Sequence, residues 1–261
     1  HDRPLTSGGI TFKADAGMTA RAVMSATGLS VDNSEAMGAL SDAAITEADI
    51  EAGRFDGAEV KAWLVNWADV ATQTLRFAGT IGELRRSGGA FHAELRGLTE
   101  PLNQPQGRVY QTPCSAILGD GDCGFDLDTD GFATEVAVEG LVDRRRFTFF
   151  DMAGFEPAWF ERGRLRVISG AAAGLIGLIK RDRFIGDTRE VEVWEGLRTE
   201  IAAGDMIRLE AGCDKRFETC RLKFANLLNF RGFPDIPGDD WLVSTPATGA
   251  QNAGGSLRRS V

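Results

Sequence analysis

The sequence predicts a mainly β protein, built as two tandem β-barrel-like modules with a few short helices. Short runs alternate apolar and polar residues, the period of a half-buried strand. Glycine is abundant, with 32 residues against 8 prolines, and it separates these runs. Stretches with helical spacing are scarce. The predicted organisation is a first module, a junction loop, a second module, a C-terminal segment with a short helix, and a flexible tail: residues 1–105, 106–124, 125–210, 211–243 and 244–261.

The first module is predicted from a short helix, a strand and a hairpin. In ITEADIEAG, Thr46 and Asp49 have the spacing of a helix N-cap, and Gly53 can end the helix. In EVKAWLVNWA, Val60, Ala62 and Leu64 fall on one side of a strand. The runs TLRFAGTIGEL and AFHAELRGL also alternate, and the Ser-Gly-Gly between them predicts a tight β-hairpin.

The second module is predicted from six short runs separated by turn residues. Their spacing is typical of a barrel or a sandwich. A second short helix is expected just after Cys220, because Leu222, Phe224, Leu227 and Leu228 lie near helical spacing. The six runs are ATEVAVEGLV, RFTFF, RLRVISG, GLIGLIKRD, EVEVWEGL and DMIRLEAGC.

The charge and hydropathy of the chain exclude some functions. The net charge is −9 and basic residues form no dense stripe, which argues against a conventional nucleic-acid reader. An acidic wall would instead let DNA pass without adhering. No apolar run approaches the roughly 18 residues needed to span a bilayer, so no membrane insertion is expected.

Other motifs give only weak functional signals. GDGDCG satisfies a dinucleotide-binding pattern but lacks its strand–turn–helix setting, so a glycine-rich loop around a metal site is favoured. In DLDTDG, Asp126, Asp128 and Asp130 resemble half of an EF-hand loop, but Ala137 stands where the glutamate should be. A solvated acidic turn is the favoured interpretation, with weak calcium binding as the alternative. His92 is the single internal histidine, and no catalytic set is predicted.

Four cysteines form two widely separated pairs, Cys114 with Cys123 and Cys213 with Cys220. They could be buried apolar residues or disulfides, although no export signal supports an oxidising compartment. Gaps of eight and six residues are too open for a zinc knuckle. An iron–sulfur cluster tolerates wider spacing, because its thiolates attach to separate corners. Spacing alone leaves metal and non-metal interpretations open.

The residues around these cysteines resemble a family of phage tail-tip proteins. That family includes the hub proteins of gene transfer agents and is related to the phage lambda tail-tip protein L. The resemblance covers residues 28–241. It is carried by ITEADIEAGRFDGAEV, VNWAD, GTIGEL, FHAELRGL, GRVYQTPCSAILGDGDCG, AAGDMIRLEAGCDKRFETC and RLKFANLLNFRGFPDIPGDD.

The resemblance implies a structural role in the tail-tip baseplate of a phage or gene transfer agent particle, assembled in the bacterial cytoplasm. Cys114, Cys123, Cys213 and Cys220 would hold an iron–sulfur cluster, most simply of the 4Fe–4S type, at the junction of two tube-forming hub modules. Three chains would close a ring around the DNA exit channel. A leading segment is expected ahead of His1, because the initiator methionine is absent.

The partners implied by the family are other copies of the chain, the distal tail protein and a tail-tip or fibre-bearing protein. The tape-measure protein and a tail peptidase are further candidates, and DNA would be met only in passage. No enzymatic activity is expected. Two alternatives stay open: an iron–sulfur redox protein or enzyme, and a binding module stapled by zinc.

Overall fold

The computed structural model describes residues 3–14, 18–20, 33–39, 46–87, 90–98, 107–150 and 152–236. Within these ranges the chain forms two compact units. The sheet unit contains the described residues of 1–108 and 128–212, and the cysteine unit contains those of 109–127 and 213–236. The predicted tail at 244–261 lies outside the described residues. The predicted domain boundaries stay predictions.

The first half of the sheet unit contains a two-stranded hairpin and a five-stranded antiparallel sheet with the order β3-β4-β7-β6-β5. A short helix, α1, precedes β5. The pairing of β6 with β7 confirms the predicted hairpin. The elements are β1 Leu5–Ser7, β2 Ile10–Phe12, β3 Met18–Ala20, β4 Asn33–Ala39, α1 Glu47–Glu51, β5 Glu59–Val65, β6 Gln73–Ser87 and β7 Ala90–Gly97.

Two details of this half test the sequence pattern. The Thr46 hydroxyl accepts a hydrogen bond from the Asp49 N–H at 3.1 Å, which is the predicted N-cap. In β5, a bulge between Ala62 and Trp63 shifts the alternation. As a result Leu64 is exposed, and it does not share a face with Val60 and Ala62 as the alternation predicts.

The second half of the sheet unit is a seven-stranded antiparallel sheet with the order β8-β14-β11-β12-β13-β10-β9. Each of the six predicted runs overlaps at least one of its strands. Both larger sheets are open in the part of the chain that is described, and no closed barrel forms there. The strands are β8 Ala133–Ala137, β9 Gly140–Val142, β10 Arg146–Phe149, β11 Arg164–Val167, β12 Ile176–Ile185, β13 Thr188–Val193 and β14 Met206–Glu210. The chain is thus mainly β with a few short helices.

One buried ion pair anchors the inner face of this sheet. Alternation along β13 places Arg189 on the same face as Val191 and Val193, and all three are fully buried. The Arg189 guanidinium donates to both carboxylate oxygens of Asp182, at 2.7 and 2.6 Å. It also donates to the carbonyl oxygens of Phe155 and Glu156. Bidentate geometry and these extra acceptors satisfy a charge that would otherwise be costly to bury.

The helix of the cysteine unit lies earlier than predicted. Helix α2 spans Phe217–Leu222, so Cys220 lies inside it, and a 3₁₀ turn follows at Leu227–Asn229. The break between them contains Ala225, whose φ of 47° is left-handed and incompatible with a continuing helix. The predicted apolar face is therefore wrong: Phe224 is buried, whereas Leu222 and Leu228 are exposed.

Among the helices in the described ranges, none has the length and apolar character needed to cross a membrane.

Candidate four-cysteine site

The structure brings all four predicted cysteines to one place. Cys114, Cys123, Cys213 and Cys220 line a single cavity of about 20 Å³ within the cysteine unit. Each is partly buried, and none forms a disulfide. Two cysteine pairs separated by 89 residues of chain thus converge, which is the arrangement that a shared ligand requires.

The loop carrying Cys123 is built around the Asp120 carboxylate. One carboxylate oxygen accepts the N–H of Ile117 at 2.8 Å, and the other accepts the N–H of Cys123 at 2.7 Å. These two hydrogen bonds lower the pKa of Asp120, the one from Cys123 contributing most. Gly124 has a φ of 62°, which only glycine adopts at low cost, and it closes the turn. The carboxylate therefore holds Cys123 in a tight loop.

Lys215 connects the first cysteine of each pair. Its carbonyl oxygen accepts the N–H of Cys114 at 2.8 Å, and its own N–H donates to the Sγ of Cys213 at 3.4 Å. The ammonium group donates to the carbonyl oxygen of Ala116. This residue has a φ of 66°. Two of its three contacts come from the backbone, so the connection depends mostly on chain geometry.

Asn226 connects the second cysteine of each pair. Its side-chain N–H₂ donates to the carbonyl oxygen of Cys123 at 2.7 Å and lies 3.5 Å from the Sγ of that residue. Its backbone N–H donates to the carbonyl oxygen of Cys220 at 3.0 Å, and its carbonyl oxygen accepts from the Cys220 thiol at 3.3 Å. Asn229 donates to the Asn226 side-chain oxygen at 2.8 Å and so sets the amide orientation.

Hydrogen-bond donors surround the sulfur atoms. Cys114 accepts from the backbone N–H of Arg231 at 3.4 Å, in addition to the donors to Cys213 and Cys123. Burial raises the pKa of Cys213, and it raises the pKa of Cys220 to about 11, with the neighbouring cysteines adding to the effect. Without a cation to stabilise the thiolate, Cys220 therefore keeps its proton at neutral pH.

The described residues contain no group of three or more His, Cys, Asp or Glu side chains arranged to hold a metal ion. Neither the four thiols, as they are arranged in this structure, nor the acidic run at 126–130 forms such a group. Within that run, Asp128 pairs with Arg208 at 2.5 Å, which occupies a carboxylate oxygen that calcium would need. The favoured interpretation of a solvated turn agrees with this pairing, and weak calcium binding has no support from it.

Comparisons with known proteins identify the family of this chain. Residues 1–126 match the family model described as baseplate hub protein, N-terminal attachment domain. Residues 158–240 match the family described as phage conserved hypothetical protein BR0599. A chain in a solved structure, the virion of a native gene transfer agent particle, is 56% identical over 99% of this chain and 89% of that chain, with a TM-score of 0.90. The chain belongs to the baseplate hub protein family. Among curated proteins, none matches it.

The hub family assignment confirms the predicted resemblance and the predicted location in a virion or gene transfer agent particle. The two matched regions divide the cysteines evenly. Cys114 and Cys123 lie in the attachment-domain match, and Cys213 and Cys220 lie in the second match. The four-cysteine site of this hub therefore draws one pair from each family region.

Sequence reasoning identified the four cysteines but missed the residues that position them. Asp120, Lys215 and Asn226 were not predicted to act at the site. Asn226 lies in the quoted RLKFANLLNFRGFP motif, so a signal for it was present. Asp120 accepts backbone N–H groups with its carboxylate, and Lys215 contacts the cysteines through its own backbone. The spacing of residues in the sequence reveals neither role.

Proposed function

We propose that this hub is a non-enzymatic structural protein that forms a ring in the tail tip, stabilised by an iron–sulfur cluster on Cys114, Cys123, Cys213 and Cys220. The ring would be a homotrimer of chains with two tube-forming modules each. It would join the tail tube and the distal tail protein to the tip proteins, and it would surround the DNA exit channel. The observation that carries the proposal is the convergence of four thiols on one cavity in a baseplate hub chain.

The chemistry of the donor set fits a cluster. Four thiols are the usual ligand set of 4Fe–4S clusters, and N–H donors to sulfur are among the groups that tune such clusters. Three of the four sulfur atoms have such a donor. The cavity is also lined by Lys215 and Arg216, whose positive charge suits four thiolates. A cluster, when bound, would supply four iron–thiolate bonds and lower the pKa of each thiol.

The spacing of the cysteines favours a cluster over a single zinc ion. Zinc sites with four cysteine ligands usually take each pair from a short knuckle with about two to four intervening residues. The gaps here are eight and six residues. Ligands attached to separate corners of a larger group can come from longer loops.

Charge on the seven-stranded sheet bears on which surface meets DNA. The outward positions of its strands carry seven basic side chains against four acidic ones, although the whole chain has a net charge of −9. If DNA passes an acidic wall, this face points away from the channel. The basic residues are Arg146, Arg164, Arg166, Lys180, Arg181, Arg183 and Arg208, and the acidic residues are Glu135, Glu190, Glu192 and Glu210.

Absorption and metal analysis of the freshly purified protein test the cluster. A brown sample containing iron and sulfide, with visible absorption, is expected. The Cys213→Ser variant should be colourless and should prevent assembly of DNA-delivering particles. Thr219→Ser, a small change in helix α2 beside Cys220, is the matched control and should keep both colour and assembly.

Three results would count against the proposal. A colourless protein containing zinc would replace the cluster with the zinc-stapled module. A cluster that cycles reversibly at a physiological potential would favour the redox protein. Normal particles from the Cys213→Ser variant would show that the site is dispensable for the structural role.

A further inference from the structure

We infer that Asn226 is the positioning residue of the four-cysteine site, and that its side chain holds Cys123 beside Cys220 before any metal arrives. The inference deepens the proposed function and rests on it for the identity of the ligand. The preassembly itself concerns this chain alone, so it can be tested without a bound cluster.

Two cross-connections join the cysteine pairs, and they differ in kind. Lys215 joins Cys114 to Cys213 chiefly through its backbone N–H and carbonyl oxygen. Those two contacts survive most substitutions at position 215. Asn226 joins Cys123 to Cys220 with its side chain on one partner and its backbone on the other. Replacing Asn226 therefore removes the Cys123 half of the connection while the Cys220 half stays.

The surroundings of the Asn226 amide give it one orientation. Its oxygen accepts from the Asn229 side chain at 2.8 Å, so its N–H₂ group must face Cys123. Position 124 is open enough for this arrangement because it is a glycine: a Cβ there would lie 3.3 Å from the Asn229 side-chain nitrogen. The Asn229 side chain and the space left by Gly124 thus orient Asn226 so that its N–H donor faces Cys123.

A donor at this place would act on a bound cluster as well as on the fold. An N–H group 3.5 Å from the Cys123 sulfur withdraws electron density from a thiolate. Hydrogen bonds to sulfur are among the factors that set cluster potentials. Asn226→Asp replaces this donor with a carboxylate of the same shape, which repels the thiolate. Asn226→Ala removes the donor without adding charge.

The first experiment uses metal-free protein and follows the reaction of each thiol with an alkylating reagent by mass spectrometry. Asn226→Ala should speed the modification of Cys123 more than that of the other three cysteines, because the backbone contacts to Cys220 remain. Asn66→Ala is the matched control, because Asn66 lies in a turn of the sheet unit and belongs to no part of the cysteine unit. An unchanged rate at Cys123 in the Asn226 variant would overturn the preassembly.

The second experiment reconstitutes each variant with ferrous iron and sulfide without oxygen. Asn226→Asp should hold iron about 10- to 100-fold less tightly against a chelator, the usual cost of losing such a supporting contact. Whatever cluster it retains should have a lower reduction potential than the wild type. An unchanged potential and affinity would overturn the role of Asn226 even if the cluster stands. A wild type that takes up no iron would instead refute the proposed cluster and leave the alkylation result to decide on Asn226.

Discussion

The seven-stranded sheet and the four-cysteine site are stabilised by different means. The inner face of the sheet buries a continuous apolar cluster, with Phe147, Phe149, Phe160 and Ile179 among its fully buried members. In the described part of the cysteine unit, Ala116 and Phe224 are the buried apolar residues. Its segments are held instead by hydrogen bonds to backbone groups and sulfur atoms. Apolar burial therefore strongly favours folding of the sheet, whereas the cysteine unit has little apolar burial to offset its conformational entropy.

The largest expected effect follows from removing the proposed cluster with a chelator under reducing conditions. Metal binding and folding are coupled where a site supplies most of the stability of its unit. Amide hydrogen exchange should accelerate throughout the described parts of the cysteine unit, 109–127 and 213–236, while the strands β10 to β13 stay protected. The Cys213→Ser variant treated with the same chelator is the control. Loss of protection in both regions would show that the contrast between them is wrong.

The second-largest effect is expected from breaking the buried ion pair of the sheet. Arg189→Ala leaves Asp182 buried without its partner, which should lower the free energy of unfolding by about 3–5 kcal/mol. Arg183→Ala is the matched control, because Arg183 pairs with Glu190 at 2.7 Å on the exposed face and should cost less than about 1 kcal/mol. Denaturant unfolding followed by tryptophan fluorescence measures both. Equal losses in the two variants would contradict the anchoring role of Arg189.

A smaller, local effect is expected in the first cysteine loop. Asp120→Ala removes the acceptor of two backbone N–H groups, so the amides of Ile117 and Cys123 should exchange faster. Helix α2 and the seven-stranded sheet should keep their protection. Asp122→Ala, a substitution of the same type in the same loop, is the comparison variant. Similar amide exchange rates at Ile117 and Cys123 in both variants would show that Asp120 does not organise the loop.

The smallest effect concerns pH and the outer face of the sheet. A hydrogen bond from Lys180, together with the nearby arginines, lowers the pKa of Glu192 in the folded state. A lowered pKa gives stability that is present above the unfolded value of about 4.3 and is lost as the pH falls through the folded pKa. Glu192→Gln should therefore reduce the melting temperature slightly at pH 7, by the equivalent of less than about 1 kcal/mol, and should not reduce it at pH 2. An equal loss at both pH values would show that charge is not the cause.

The strands were predictable because their signal is local. Alternation identified the six runs of the second module. Arg189 precedes the run EVEVWEGL and was not predicted, although the observed strand β13 places it on the face of Val191 and Val193. The pairing of this arginine with Asp182 was not predicted, since alternation does not tell which inward charges meet. Helix α2 was misplaced because Ala225 adopts a left-handed conformation that its residue type does not suggest.

The site was predictable in its ligands and not in its supports. Cysteine pairs stand out by their rarity, and the surrounding motifs identified the family. The contacts of Lys215 and Asn226 depend on which segments, far apart in the sequence, come into contact. A single sequence does not show directly which segments those are. Residues that act through their backbone groups give the weakest signal in the sequence.

The order of the cysteines along the chain has a consequence for biosynthesis. Cys123 and Cys213 are separated by 89 residues, which include the whole seven-stranded sheet. At a translation rate of roughly 5–20 residues per second, the first pair leaves the ribosome several seconds before the second. The site cannot be complete until Cys220 has been made. A chain truncated before Cys213 would carry only two of the four proposed ligands.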